Sequence, residues 1–158
     1  MDRLSSANLC GWLRFKHLTL LTTLAQSRNM HAAARAMHLS QPAASKMLRD
    51  LEGYFGFALF DRLPRAMQPT ELGEHVIHHA WRLLNDADRL VDDINDLSEG
   101  GYGQLLIGAL VAAAPEILPA AIARLKRQRP RLSISLKEQT SDQLLIELEY
   151  KRLDLVIG

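Results

Sequence analysis

Residues Asn29 to Phe55 read NMHAAARAMHLSQPAASKMLRDLEGYF, and the spacing of apolar side chains in this stretch decides the fold. It predicts two short helices joined by a tight turn. The first covers Met30–Met37, with Ala33, Ala34 and Met37 facing inward. The second opens at Gln41-Pro42 and runs to about Tyr54. Between them, His38-Leu39-Ser40 supplies one apolar residue for the interior and one N-cap, because the Ser40 hydroxyl can accept a backbone N–H from the next turn. Pro42 falls near the first helical position, where its missing N–H costs nothing. Ala33, Ala43 and Ala44 are small enough for the two helices to cross closely. This is the helix-turn-helix pattern, whose second helix enters the DNA major groove.

The start of that second helix offers the hydrogen-bonding side chains Gln41, Ser45 and Lys46, while Ala44, Met47, Leu48 and Leu51 form its inner face. An ordinary capped surface helix would share these features, so the flanking sequence matters. Upstream, 13–27 reads as a helix with Leu18, Leu21, Leu24 and Ala25 at helical spacing, sealed at its start by Trp12 and Phe15. Asn29 is the expected N-cap of the next helix. Downstream, GFALFDRLPRAMQPT (56–70) places Phe57, Leu59 and Phe60 to close a small core. The rest predicts a β-hairpin with Pro64 at the tip and Arg62 and Arg65 beside it. Arginines so placed favour the backbone or a narrow minor groove; the plainer reading is two exposed arginines on a loop.

Thr70 then caps a long helix whose first turn carries Glu71 and Glu74, favourable at its positive end. Val76, Ala80, Leu83, Ala87, Leu90, Ile94 and Leu97 alternate spacings of four and three, a heptad seam. A seam of that length needs a partner, either the same helix of a second copy packed antiparallel or the body of its own domain. His75, His78 and His79 lie on this helix. No third ligand stands at useful spacing for His75 and His79, so a structural or solvent-facing role is expected and no metal. Glu99-Gly-Gly-Tyr-Gly103 breaks the helix and reads as a hinge. Strands at 104–110, 132–138 and 154–158 alternate with helices at 115–128 and 142–152, which implies a parallel sheet of βαβ units.

Charge divides the chain in the same way. From Trp12 to Thr70 there are eight Lys/Arg and three acids, a net of +5; from Glu71 to Glu99 there are two Arg and eight acids, a net of −6; from residue 100 onward eight bases face six acids, a net of +2. A basic block beside an acidic one suggests a DNA-facing module and one that points away from phosphate. At 158 residues, with 47% hydrophobic and 23% charged content, the chain suits one medium or two small globular domains. The single cysteine, Cys10, can form neither an internal disulfide nor a zinc site alone. The opening residues lack the apolar core of a signal peptide. Leu105–Ala123 is apolar but carries Pro115, Glu116 and Pro119, so it reads as strand, turn and helix and not as a membrane span; the expected compartment is the cytoplasm. There is no GxSxG, GxGxxG, P-loop or HExxH, and no enzymatic activity is expected.

The run AAARAMHLSQPAASKMLRDLEGYFGFALFDR, followed by Pro69-Thr70 and Gly73, resembles the DNA-binding domain of the LysR-type transcriptional regulators. The likeness covers roughly Leu13 to Leu97 and, more weakly, the remainder. LRFKHLTLL together with QPAASKMLRDLE is most similar to the subgroup regulating sugar or aromatic-acid catabolism. The resemblance implies a mostly α fold: a winged helix-turn-helix (12–69), a linker and dimerisation helix (70–98), a hinge (99–103) and the start of an α/β effector domain like periplasmic binding proteins (104–158). Family effector domains continue for about as many residues again as this whole chain, so only the first lobe is expected here.

Carried onto this sequence, the family's base-contacting positions are Gln41, Pro42, Ser45 and Lys46, with Arg49 beside them. Gln41 suits adenine N6/N7 and Lys46 guanine O6/N7. Most relatives have arginine where Lys46 stands, and lysine lacks the two-pronged fork. His31, Arg62 and Arg65 are implied as phosphate or minor-groove contacts. Asn29-Met30 replaces the usual Ser-Phe while preserving cap and core roles. The effector would sit at the carboxyl ends of the strands, lined by Val111 and Ala112 after the first strand and by Thr140 and Ser141 after the second. Relatives often have Ser or Thr in the first of these loops. Implied partners are double-stranded DNA carrying an inverted repeat, a second copy of the chain (a tetramer at full length), a small-molecule effector and RNA polymerase; no cofactor is implied. The competing reading is a helical dimerisation or interaction protein whose winged helix is inert.

Overall fold

The computed structural model describes residues 5–64, 66–110 and 117–158. Contacts divide the chain into two compact units, Met1–Leu84 and Asn85–Gly158.

In the first unit, α1 (Ser6–Trp12), α2 (Phe15–Ser27), α3 (Met30–Ala36) and α4 (Gln41–Phe55) precede a hairpin of β1 (Phe60–Leu63) and β2 (Ala66–Pro69) and the start of α5 (Glu71–Ser98). The predicted caps form. The Asn29 side chain accepts from Ala32 N–H at 3.0 Å and the Ser40 hydroxyl from Ala43 N–H at 3.3 Å. Leu20, Leu21, Leu24, Ala33, Ala44, Leu48, Leu51 and Leu59 are shielded completely and make one core with Ile77 and Ala80 of α5. Helix α1 departs from the sequence reading, which began the fold at residue 13. It packs Leu9 and Trp12, with Leu13 at its C-cap, against that core. Trp12 stacks on Tyr54 with ring centroids 4.2 Å apart. The expected seal is therefore Trp12 alone, because Phe15 remains 60% exposed.

Two side chains, Glu52 of α4 and Thr70, explain why the chain turns where it does. The Glu52 carboxylate accepts the Leu59 and Phe60 N–H groups at 3.0 and 3.4 Å, which fixes the entry to the hairpin. The Thr70 hydroxyl donates to the Ala58 carbonyl (2.8 Å) and accepts from Gly73 N–H (2.9 Å), so it both caps α5 and ties it to the loop before β1. A Cβ at Gly73 would run into the Leu59 carbonyl, so this approach of backbone to backbone requires glycine.

The second unit is a three-stranded parallel sheet in the order β4-β3-β5, from β3 (Gln104–Ala109), β4 (Ser133–Glu138) and β5 (Leu155–Ile157), with α6 (Ile117–Gln128) and α7 (Ser141–Glu149) between strands. Successive strand residues face opposite sides. Ile107 and Ala109 pack with Leu118 of α6, whereas a Cβ on Gly108 would lie 2.6 Å from Leu144 of α7 and from Leu153. The helices therefore cover opposite faces. The Glu147 carboxyl is half-buried; burial pushes its pKa up, but hydrogen bonds from Lys137 (2.8 Å) and Arg152 (3.1 Å) outweigh that and hold it below the ordinary value. The stretch read as a hinge is bonded in place: Gly101 N–H donates to the Asp96 carbonyl at 2.7 Å and Gly103 N–H to the Asp96 carboxylate at 2.6 Å, with Gly100 and Gly103 at φ +80° and +90°. The end of α5 is tied to this unit by Asn85 donating to the Tyr150 carbonyl (2.7 Å) and by Arg89 paired with Asp154 (2.6 Å).

Candidate nucleic-acid interface

Helix α4 is two-sided. Ala44, Leu48, Leu51 and Phe55 are buried at spacings of three and four. Gln41, Pro42, Ser45, Lys46 and Arg49 lie on the other side, where Pro42, Lys46 and Arg49 are exposed and Gln41 and Ser45 are half-exposed. The Gln41 amide donates to the Ser45 hydroxyl at 2.9 Å, which braces the two side chains one turn apart. The turn before α4 is made by His38, whose φ of +54° is in the left-handed region, and Met37 and Leu39 are half-buried beneath it. Ser40 ends the turn and Pro42 occupies the first turn of the helix. The sequence thus presents a polar helix face held by an apolar one, as expected.

The surrounding basic groups are distributed as follows. His31 is exposed in the first turn of α3. Arg62 is exposed on β1, opposite Met67 of β2. Arg65 lies outside the described residues. The hairpin is attached to the helices by Met67 N–H, which donates to the Arg28 carbonyl at 2.9 Å. Arg28 itself closes α2 in a left-handed conformation, at φ +49°. The structure adds Arg28 and Arg35 as exposed cations on this module; the excess of bases between Trp12 and Thr70 had counted them without giving them a place. The proton affinity of His17 is perturbed. Burial lowers its pKa, and Lys16 and Arg14 lower it further. Its Nδ1 accepts the Arg14 N–H at 3.3 Å.

The heptad seam divides between uses. Ala80 is buried in the domain's own core and Val76 packs against it, together with Ile77, which the seam had omitted. This part of the expected intermolecular line is therefore intramolecular, a correction for Ala80 in particular. Ala87 is half-buried, and Leu83, Leu90, Ile94 and Leu97 are exposed. Of the effector-site residues, Val111 and Ala112 lie outside the described residues. Thr140 and Ser141 are exposed after β4; Thr140 stands at the N-cap of α7, yet its side chain makes no capping bond. Gln139 beside them was not foreseen: its side-chain Oε1 is buried with no hydrogen-bond partner among the described residues. Among those residues no group of His, Cys, Asp and Glu could hold a metal, and no helix is long and apolar enough to cross a membrane.

A profile described as "Bacterial regulatory helix-turn-helix protein, lysR family" matches residues 15–74, and one described as "LysR substrate binding domain" matches residues 98–158. The chain belongs to the LysR family. Similar LysR-type proteins include the HTH-type transcriptional regulator GbpR of Azospirillum brasilense, 38% identical over 146 residues that make up 92% of this chain and 43% of that protein. The DNA-binding transcriptional dual regulator OxyR of Escherichia coli is 32% identical over 145 residues, 92% of this chain and 48% of its own. The chain thus spans less than half the length of these curated relatives. Among solved structures, full-length CbnR complexed with its target DNA is similar with a TM-score of 0.69 and 26% identity, over 89% of this chain and 48% of that one. The LysR match begins at residue 15, so α1 precedes it.

Proposed function

We propose that this chain is the DNA-binding and linker part, with the start of the effector domain, of a dimeric, sequence-specific transcriptional regulator. The observation that carries this reading is the face of α4, where Gln41, Pro42, Ser45, Lys46 and Arg49 stand together outside a core that fixes the helix from beneath. Gln41 and Lys46 read base edges; His31, Arg35, Arg62 and Arg65 meet phosphate or the minor groove. Residues 12–69 form the DNA-binding domain, 70–98 the dimerisation helix, 99–103 the junction and 104–158 the first part of the effector domain. Leu83, Leu90, Ile94 and Leu97 join two copies, whose paired modules bind an inverted repeat. A small-molecule effector meets the carboxyl ends of β3 and β4, where Gln139 Oε1 is an acceptor without a partner among the described residues and Thr140 and Ser141 offer hydroxyls. The protein works in the cytoplasm without catalysis, with RNA polymerase as a further partner. Relatives' names as regulators and the DNA in the CbnR structure support this reading. Duplex binding followed by fluorescence anisotropy across a salt series tests it. Affinity should fall steeply as salt rises, since each phosphate contact releases counterions; a flat response or no binding favours an inert winged helix.

A further inference from the structure

We propose that α1, the helix ahead of the family-matched region, is part of the surface that joins two copies of this chain. The inference rests on the dimer reading above and adds a second element to it. Leu9 and Leu13 of the α1 segment line an apolar groove of about 180 Å³. Val76, His79, Ala80 and Leu83 of α5 line it too, with Leu18, Leu21 and Phe55. The groove therefore opens beside the point where the α5 seam leaves the domain core.

The occupant is written on the same helix. Leu90, Ile94 and Leu97 are 60%, 56% and 62% exposed and continue the seam that lines the groove. Two such helices related by a two-fold axis perpendicular to their length run antiparallel, and self-complementarity is required of the contact. If they cross at Ala87, the small residue midway along the seam, positions one heptad to either side exchange places. The turn of α5 at Ala80, whose own side chain stays in the domain core, then faces Ile94 of the partner subunit, and Val76 faces the region of Leu97 of the partner subunit. Those side chains enter the groove that α1 helps to line.

Charge points the same way. The second half of α5 carries Asp88, Asp92, Asp93 and Asp96, with Glu99 just beyond it, whereas Arg14 and Lys16 follow within three residues of Leu13. An antiparallel crossing sets the acidic half of one α5 beside this basic corner of the other copy, whereas a parallel one sets acid against acid.

Sedimentation equilibrium on the full chain tests the proposal, with Leu9→Asp, Leu9→Ala and a deletion of residues 1–11 compared with Leu90→Asp. The dimer dissociation constant should rise at least tenfold for Leu9→Asp and for the deletion, and less for Leu9→Ala. Circular dichroism should show helix content retained in Leu9→Ala, which keeps the test valid if the harsher variants unfold. If Leu90→Asp dissociates the dimer while all three α1 variants leave its constant unchanged, the role of α1 is overturned and the dimer reading stands. If the parent chain is monomeric at every concentration, both are overturned.

Discussion

The helix-turn-helix unit and the α/β unit of this chain are close in size but bury themselves very differently. In the first, α2 to α5 and the hairpin converge on a continuous core from Leu18 to Ala80. In the second, the buried apolar residues Ile107, Ala109, Leu118, Leu144 and Leu153 are split between two faces of a three-stranded sheet, and Leu136, Leu145 and Ile146 are exposed among the described residues. The lesson is about rigidity. A reading helix must be held to a fraction of an ångström to present side chains to base edges, and a closed core does that.

The first way to break this contrast is to change one apolar side chain in each unit, buried in the first and exposed in the second. Leu48→Ala should destabilise the first unit by about 2–5 kcal/mol, read by urea unfolding with tryptophan fluorescence, since Trp12 and Trp81 both lie in that unit. Leu145→Ser, on the exposed side of α7, should change stability by less than about 0.5 kcal/mol. Equal losses would contradict the difference in burial.

A pair of glycines sharpens the point within the first unit. Gly73→Ala forces a Cβ against the Leu59 carbonyl and should cost about 1–3 kcal/mol. Gly53→Ala meets open space inside α4 and should stabilise by about 0.5–1 kcal/mol through helix propensity. Thermal melts of the two variants should move in opposite directions.

On the binding face, Lys46→Ala should lose about 1–3 kcal/mol of discrimination at one base position. Arg62→Ala should instead weaken all duplexes alike and flatten the salt slope. Competition binding with matched and scrambled duplexes separates the two.

The smallest expected effect is on pH. His17 has a folded pKa below its unfolded value, so the unfolded chain takes up its proton first as pH falls. Stability of the first unit is thus full above the unfolded pKa of about 6.5 and declines as the pH drops below it. In His17→Gln that decline between pH 7.5 and 5.5 should be shallower.

How much of this was legible in the sequence depends on which forces were local. The caps at Asn29, Ser40 and Thr70 and the inner face of α4 are local devices, and they appear where the residues predict them. Helix α1 was missed because it is short, contains Gly11 and has no fully buried side chain to set a period. Phe15 and Trp12 looked equivalent as seals, and only the stacking on Tyr54 decides between them. A heptad pattern gives a stripe but not its owner, so Ala80 was assigned to a second copy although its own domain covers it. Gln139 was invisible because an amide in a strand-to-helix loop is ordinary until burial leaves its oxygen without a partner among the described residues.

The most direct test of the central claim, that the outer face of α4 reads duplex DNA, is selection of bound duplexes from a random pool by the parent chain and by Lys46→Ala, followed by sequencing. The account predicts an inverted-repeat motif for the parent and the same motif relaxed at one position in each half-site for the variant. Enrichment of no motif, or of an identical motif by both, would contradict it.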